Sequence, residues 1–215
     1  NAAYGNRALF NNTTGASNVA VGGYALYKNT TGLNNTAIGR ETLYENTNGS
    51  QNVAVGWKAG IVGNYNNTVC LGYDVAASAS DQVRIGNTLT SSIGGFAGWT
   101  DISDGRVKKN IKSDVPGLAF INKLSPVIYN LDLDAIDKFI KPGTVKAESN
   151  PLTENELSSR KIKQEKKFTG FIAQDVEKAA KELNYDFSGV DAAKNDHDLY
   201  GLRYASFVVP LVKAV

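Results

Sequence analysis

Six glycines keep step through the first half of this chain and limit what it can fold into. Gly5, Gly22, Gly39 and Gly56 recur every 17 residues, and Gly72 and Gly86 follow after 16 and 14. Other positions share the register: Leu9/Leu26/Leu43, Phe10/Tyr27/Tyr44, Asn12/Asn29/Asn46, Gly15/Gly32/Gly49 and Asn18/Asn35/Asn52. Each unit reads as a short strand (Val19-Ala20-Val21, Thr36-Ala37-Ile38, Val53-Ala54-Val55), a glycine turn, a Leu-aromatic segment and an Asn-Thr turn. A unit of this length cannot bury its own apolar face, so it needs like neighbours above and below. That predicts a solenoid with one coil per repeat. Glycine allows positive φ at the turns, asparagine tolerates the left-handed region, and its amide can bond the next rung. Ala20, Ala37 and Ala54 predict a narrow interior.

Charge divides the chain near residue 100. Residues 1–100 carry nine charged side chains, and the remaining 115 residues carry 35. A net charge of +2 calls for no nucleic acid or anionic membrane as partner. No stretch reaches the ~18 apolar residues of a membrane span, so membrane insertion is not expected. The single Cys70, in Val69-Cys70-Leu71-Gly72, excludes an intrachain disulfide and reads as a buried structural thiol. The chain has no Met, so we expect it to belong to a longer gene product. No cofactor and no metal are called for.

Two sharper readings of the repeats have blander rivals. Asn12-Thr13-Thr14 and Asn29-Thr30-Thr31 match the glycosylation sequon, yet their register with the glycines favours structural turn asparagines. The aromatic ladder could be a sugar-binding stripe, whereas stacked rungs in the core or between subunits explain it more simply.

After an uncharged, glycine-rich neck the pattern becomes that of a mixed α/β domain. A short helix is predicted over 117–124, stopped by Ser125-Pro126, and a strand over 127–131. The polar stretch 141–167 reads as a solvated loop or long hairpin. A buried strand over 168–173 precedes a helix over 174–183 with Val176, Ala179, Ala180 and Leu183 on one face. From Leu202 to Val215 apolar residues recur every three or four positions. That predicts a final long helix, either docked on its own domain or packed against other copies.

The repeats resemble the left-handed β-roll heads of trimeric autotransporter adhesins, whose units carry a comparable Asn-x-Ala-x-Gly signature. The second half carries four ordered motifs. They are Ser103-Asp104-Gly105-Arg106-Val107-Lys108-Lys109-Asn110-Ile111, Leu124-Ser125-Pro126-Val127-Ile128-Tyr129, Thr169-Gly170-Phe171-Ile172-Ala173-Gln174-Asp175-Val176-Glu177, and Tyr200-Gly201-Leu202-Arg203-Tyr204 with Val209-Pro210-Leu211. In this order they resemble the endosialidase-type intramolecular chaperone domain, which ends many phage tail spikes and tail fibres and also occurs in the myelin regulatory factor. The resemblances together imply a mainly β solenoid, a trimeric left-handed β-roll, followed by a mixed α/β chaperone domain ending in a long helix. The expected segments are 1–90 for the shaft or head, 91–102 for the neck and 103–215 for the chaperone domain.

What the chaperone resemblance implies for function is homotrimer assembly followed by release through a serine–lysine dyad. Carried over by motif, Ser103 is the nucleophile, Lys108 the base, and the cut falls at Ser103-Asp104. The expected setting is extracellular, on a virion tail fibre or a bacterial surface, with a receptor or glycan as a further partner. Residue chemistry supplies a constraint of its own. Ser103 attacking its own carbonyl closes a four-membered ring, whereas attack on the carbonyl of Ile102 closes a five-membered one and cuts one bond earlier. Attack on a neighbouring subunit's bond is the third route. Lysine can take the serine proton only if burial or a nearby cation keeps it neutral, for which Arg106 and Lys109 are the flanking candidates. A triad through His197 is a weaker rival, because His197 lies in a polar run. In a different class stands a non-cleaving adhesin whose repeats bind a receptor or glycan. A membrane-tethered transcription factor would need a DNA-binding module where the neutral repeats stand.

Overall fold

The computed structural model describes residues 1–141 and 152–215. Its contacts divide into two compact units that interleave along the chain. One comprises residues 1–91, 131–165 and 194–199, and the other residues 92–130, 166–193 and 200–215.

The repeats form a parallel β-solenoid. Its strands β1 (Ala2–Tyr4), β2 (Val19–Val21), β3 (Thr36–Ile38), β4 (Val53–Val55), β5 (Val69–Leu71) and β6 (Val83–Ile85) pair in sequence order. Register follows the repeat: Ala3, Ala20, Ala37, Ala54, Cys70 and Arg84 stack in one column. From Ala20 to Cys70 this column is buried, which makes the interior as narrow as the alanines predict. Cys70 takes an alanine's place there, and burial pushes its thiol pKa up. Gly39 shows why the turn needs glycine: its φ is +131°, and a Cβ would sit 2.6 Å from the Gly56 carbonyl oxygen.

The coils are stapled by asparagine. Asn35 accepts at Oδ1 from the Asn52 backbone N–H at 3.0 Å, donates its own N–H to Asn18 Oδ1 at 2.9 Å, and donates through Nδ2 to the Gly49 carbonyl at 2.9 Å. A second ladder runs from Asn46 through Asn29 to Asn12 by amide–amide bonds of 3.0 and 2.7 Å. Asn29 is fully buried in it, so the turn reading holds there and a glycan has no room. The ladder stops where Gly63 replaces the next asparagine, leaving Asn46 Oδ1 buried without a partner among the described residues.

The second half carries, in chain order, α1 (Leu118–Ile121), β7 (Val127–Tyr129), α2 (Leu133–Ile140), α3 (Glu154–Glu165), β8 (Phe168–Gly170) and α4 (Ala173–Lys181). It ends with β9 (Val190–Asp191), β10 (Gly201–Leu202), a 3-10 turn over Tyr204–Phe207 and α5 (Val208–Ala214). The predicted α1, β7, β8 and α4 are all present, and the apolar face of α4 is buried through Val176, Ala179 and Ala180. Two expectations need correction. The end of the chain is a 3-10 turn followed by a short α5, not a long helix. Of the polar stretch 141–167, residues 142–151 lie outside the described residues, and from Glu154 the chain is helical and not a loop. The physical reason is a capping box: Glu156 accepts from the Thr153 N–H and hydroxyl at 2.8 Å, and its own N–H points back to Thr153 Oγ1 at 3.3 Å.

Helices α2 and α3 belong to the solenoid's unit. Asp132 caps α2 through the N–H groups of Asp134 and Ala135, and Arg160 of α3 binds Asp134 at 2.7 Å and Asp137 at 2.8 Å. Lys141, after α2, donates to Asp74 in a late coil. Segment 194–199 covers the last coil. The interior column ends there in a charged residue, Arg84, and Asp198 lies 4.0 Å from it. Asp198 accepts from Ser78 Oγ at 2.6 Å, from Gln82 Nε2 at 3.1 Å and from the Lys194 N–H at 3.1 Å. A solenoid end needs such a polar cap, because the next coil is missing.

The other unit closes around an aromatic core. Phe120, Phe187 and Phe207 are buried with Val176, Ala179 and Ala180. Phe187 meets Phe207 edge-on at 4.9 Å, and Phe120 meets Tyr185 edge-on at 5.3 Å. Gly117 lets α1 approach α5, since a Cβ there would lie 2.6 Å from the Lys213 carbonyl. Thus α5 docks on its own unit through Phe207 and Pro210, while Val208, Val209 and Val212 stay exposed.

Two predictions follow from the staples and the cap. Asn35→Ala strands buried groups on both neighbouring coils, so we expect it to cost about 2–4 kcal/mol, read as a lower urea midpoint, whereas exposed Thr13→Ala should move the midpoint little. For Asp198, burial raises the carboxyl pKa, but the hydrogen bonds from Ser78, Lys194, Gln82 and Leu199 outweigh it and hold the pKa below the usual carboxylate range. A depressed pKa means stability present above the unfolded value, about 3.9, and lost as pH falls through the lower folded value. Amide exchange in residues 194–199 should therefore accelerate in strong acid before the solenoid opens, and Asp198→Asn should give that fast exchange at neutral pH.

Candidate functional site

The expected dyad lies at the start of the charged half, in the unit that contains the neck. Its geometry is set by a tight turn. Asp104 precedes a 3-10 turn over Gly105–Val107 and caps it, accepting the Arg106 N–H at 2.9 Å. The Arg106 guanidinium folds back on the same carboxylate, with Nε at 2.9 Å and Nη2 at 2.5 Å from Oδ2. This fork is the strong form of charge-assisted pairing. Through that side-chain hydrogen bond first, and the backbone one second, Asp104 is held below its usual pKa, and the side-chain bond holds Arg106 above its own. Gly105 leaves the turn open, with nothing within 4 Å of a Cβ there.

The turn returns Lys108 to Ser103. Lys108 Nζ donates to Ser103 Oγ at 2.8 Å across five residues. The structure thus brings together the two residues singled out as nucleophile and base, with Asp104 between them in the chain. The direction of the bond matters: here an ammonium donates to the hydroxyl, whereas catalysis needs the hydroxyl to donate to a neutral amine. Both side chains are exposed in the single chain. Arg106, proposed as a cation acting on Lys108, has its charge neutralised by Asp104 instead. His197 belongs to the other compact unit, where its N–H bonds Asn195 Oδ1 at 2.8 Å.

An open cleft of about 500 Å³ lies elsewhere in the same unit, lined by Glu177, Lys181, Asn184, Tyr185, Asp186 and their neighbours. None of the expected site residues lines it. Sequence reasoning missed the Asp104 cap, although Asp two residues before an amide donor is an ordinary turn signal. It also missed Asp198, whose side-chain partners Ser78 and Gln82 lie more than 100 positions away.

The aromatic ladder is at the surface, not in the core. Phe10 stacks on Tyr27 at 5.7 Å and Tyr27 on Tyr44 at 5.1 Å, with planes 12° and 11° apart. Arg7 lies 5.8 Å from the Phe10 ring and Lys28 5.5 Å from that of Tyr44. Tyr27 is thus stacked on both faces, while Phe10 at the end of the ladder stays 63% exposed.

Comparison with known proteins gives one family. Residues 103–185 match the family model described as chaperone of endosialidase. No curated protein and no solved structure matches the chain. The matched segment opens on Ser103, includes Lys108, and ends just beyond α4. Residues 103–185 are therefore similar to the chaperone of endosialidase, and in this chain they follow a parallel β-solenoid.

Proposed function

We propose that this chain is the C-terminal part of a trimeric fibre of the tail-fibre or tail-spike type. Its domain over 103–215 directs homotrimer assembly and is then released by autoproteolysis at the Ser103-Asp104 junction. The family of the matched segment implies trimer assembly and suggests an extracellular virion component. No helix among the described residues is long and apolar enough to cross a membrane. The observation that carries the cleavage reading is the 2.8 Å contact between Lys108 Nζ and Ser103 Oγ at the first residue of the family segment.

The chemistry runs once per chain. With Lys108 neutral, the Ser103 hydroxyl proton passes to Nζ as Oγ attacks a backbone carbonyl carbon. The peptide C–N bond breaks, its nitrogen takes the proton from Lys108, and water hydrolyses the ester that remains. A nucleophile working in its own chain reaches the Ile102 carbonyl through a five-membered ring. A cut at Ser103-Asp104 calls for the Ser103 of a neighbouring copy, which would tie release to assembly. The rival reading, a non-cleaving adhesin whose ladder binds glycan, is weakened at the middle rung, because sugars pack on ring faces and both faces of Tyr27 are occupied.

Ser103→Ala and Lys108→Ala should each abolish fragmentation on a denaturing gel. Lys108→Arg separates chemistry from structure, since arginine keeps the charge and the donor but cannot accept a proton. It too should lower the cleavage rate by about 10²-fold or more. Fragmentation at the wild-type rate in these variants would rule out the dyad. The mass of the released fragment, beginning at Ser103 or Asp104, identifies the bond.

A further inference from the structure

One turn of the solenoid joins a reactive sequence to a structural duty. Asn48-Gly49 is the only Asn-Gly pair in the chain, and it stands where the two preceding coils carry Thr14-Gly15 and Thr31-Gly32. The ladder asparagines Asn18, Asn29, Asn35, Asn46 and Asn52 are buried, and each is followed by Thr or Val. Asn48 differs on both counts. It is exposed, and among the described residues its side-chain amide bonds to nothing. The Gly49 N–H is also unengaged among them, although the Asn48 N–H one peptide earlier is fixed to Asn64 Oδ1 at 3.3 Å.

The side-chain carbonyl carbon of an asparagine can be attacked by the backbone nitrogen of the next residue, which closes a five-membered ring. Glycine presents no Cβ to obstruct that approach, whereas β-branched Thr or Val does. A nitrogen whose N–H is already hydrogen-bonded is held back, and that of Gly49 is not. We propose that Asn48 is a self-modification site, where the turn closes to a succinimide and reopens as isoaspartate. The Gly49 nitrogen gives its proton to solvent base and bonds to Asn48 Cγ. The Cγ–Nδ2 bond breaks and the side-chain nitrogen leaves as ammonia. Water then opens the ring. Opening at Cγ leaves aspartate on the original backbone, and opening at the Asn48 carbonyl carbon leaves isoaspartate, whose main chain runs through Cβ and Cγ and is one atom longer. The chain's Asp-Gly pair, Asp104-Gly105, is a poorer target, because the Arg106 fork holds its carboxylate.

The longer backbone matters because of what the Gly49 carbonyl does. It accepts from Asn35 Nδ2 at 2.9 Å and from Asn46 Nδ2 at 3.0 Å, so both asparagine ladders depend on it in this coil. The space around it is closed: a Cβ on Gly49 would collide with the Tyr65 carbonyl oxygen and with Asn46 Oδ1. An inserted backbone atom therefore displaces the carbonyl, which takes the acceptor from Asn35 Nδ2 and one of two acceptors from Asn46 Nδ2. Asn46 is already one bond short at Oδ1. The aspartate product keeps the original path and adds only a charge at the surface.

The test ages the intact protein in mildly alkaline buffer at physiological temperature and digests samples with trypsin, which releases the site in the peptide 41–58. Electron-transfer fragmentation, which tells isoaspartate from aspartate, should show both accumulating at position 48, faster as pH rises, with Asn46 and Asn52 unchanged. Asn48→Thr, which copies the two preceding coils, should keep the far-ultraviolet spectrum and gain no such mass. Urea unfolding separates backbone from charge. Aged protein should develop a second transition at lower urea in proportion to its isoaspartate content, while freshly made Asn48→Asp should unfold in one transition at the wild-type midpoint. An Asn48 that stays intact while the urea-unfolded chain converts completely, or isoaspartate-bearing protein with an unchanged midpoint, overturns the proposal.

Discussion

Hydrogen bonding from one coil to the next is the interaction on which the first half of this molecule depends. A repeat of 17 residues folds because its backbone and its asparagines are satisfied by the coil above and the coil below. Asn35 illustrates the demand, with a bond to Asn18 in the coil before it and bonds to Gly49 and Asn52 in the coil after it. The same demand makes the solenoid's end a problem. Where the column Ala20, Ala37, Ala54, Cys70 would continue, Arg84 stands instead, and Ser78 and Gln82 turn their polar groups to the buried carboxylate of Asp198. The repeat shortens toward this end, the second asparagine ladder lapses at Gly63, and a segment from far along the chain supplies the missing polar partners.

The second half obeys ordinary packing rules, and its chemistry depends on one turn. Asp104 and Arg106 close that turn on each other, and the closure sets Lys108 against Ser103. The pair stands at hydrogen-bond distance, but in water and with the lysine as donor. That combination is compatible with the proposed reaction, which runs once per chain.

Much of this was legible in the sequence because the signals were local or periodic. Strands β2 to β4, the alanine column and the asparagine ladders all follow from the 17-residue register, which needs no knowledge of distant residues. The apolar face of α4 was readable for the same reason. What escaped had other causes. Helix α3 buries no residue, so hydrophobic periodicity is silent there, and only the capping box at Thr153 and Glu156 marks it. The final helix shows apolar spacing over 14 positions, but its first turn after Arg203 tightens to 3-10 and the α-helix spans only Val208–Ala214. Ser103 and Lys108 could be named from the family motif, yet a serine five residues before a lysine is common by chance. Their contact is a property of the turn, which Asp104 encodes and which that spacing alone does not.

The central claim is that this molecule assembles first and cuts itself afterwards. Native mass spectrometry of the newly synthesised protein, sampled over time, measures the order directly. The account predicts that intact trimers appear first and that fragments split beside Ser103 arise from them. Fragments arising from single chains, before any trimer has formed, would contradict it.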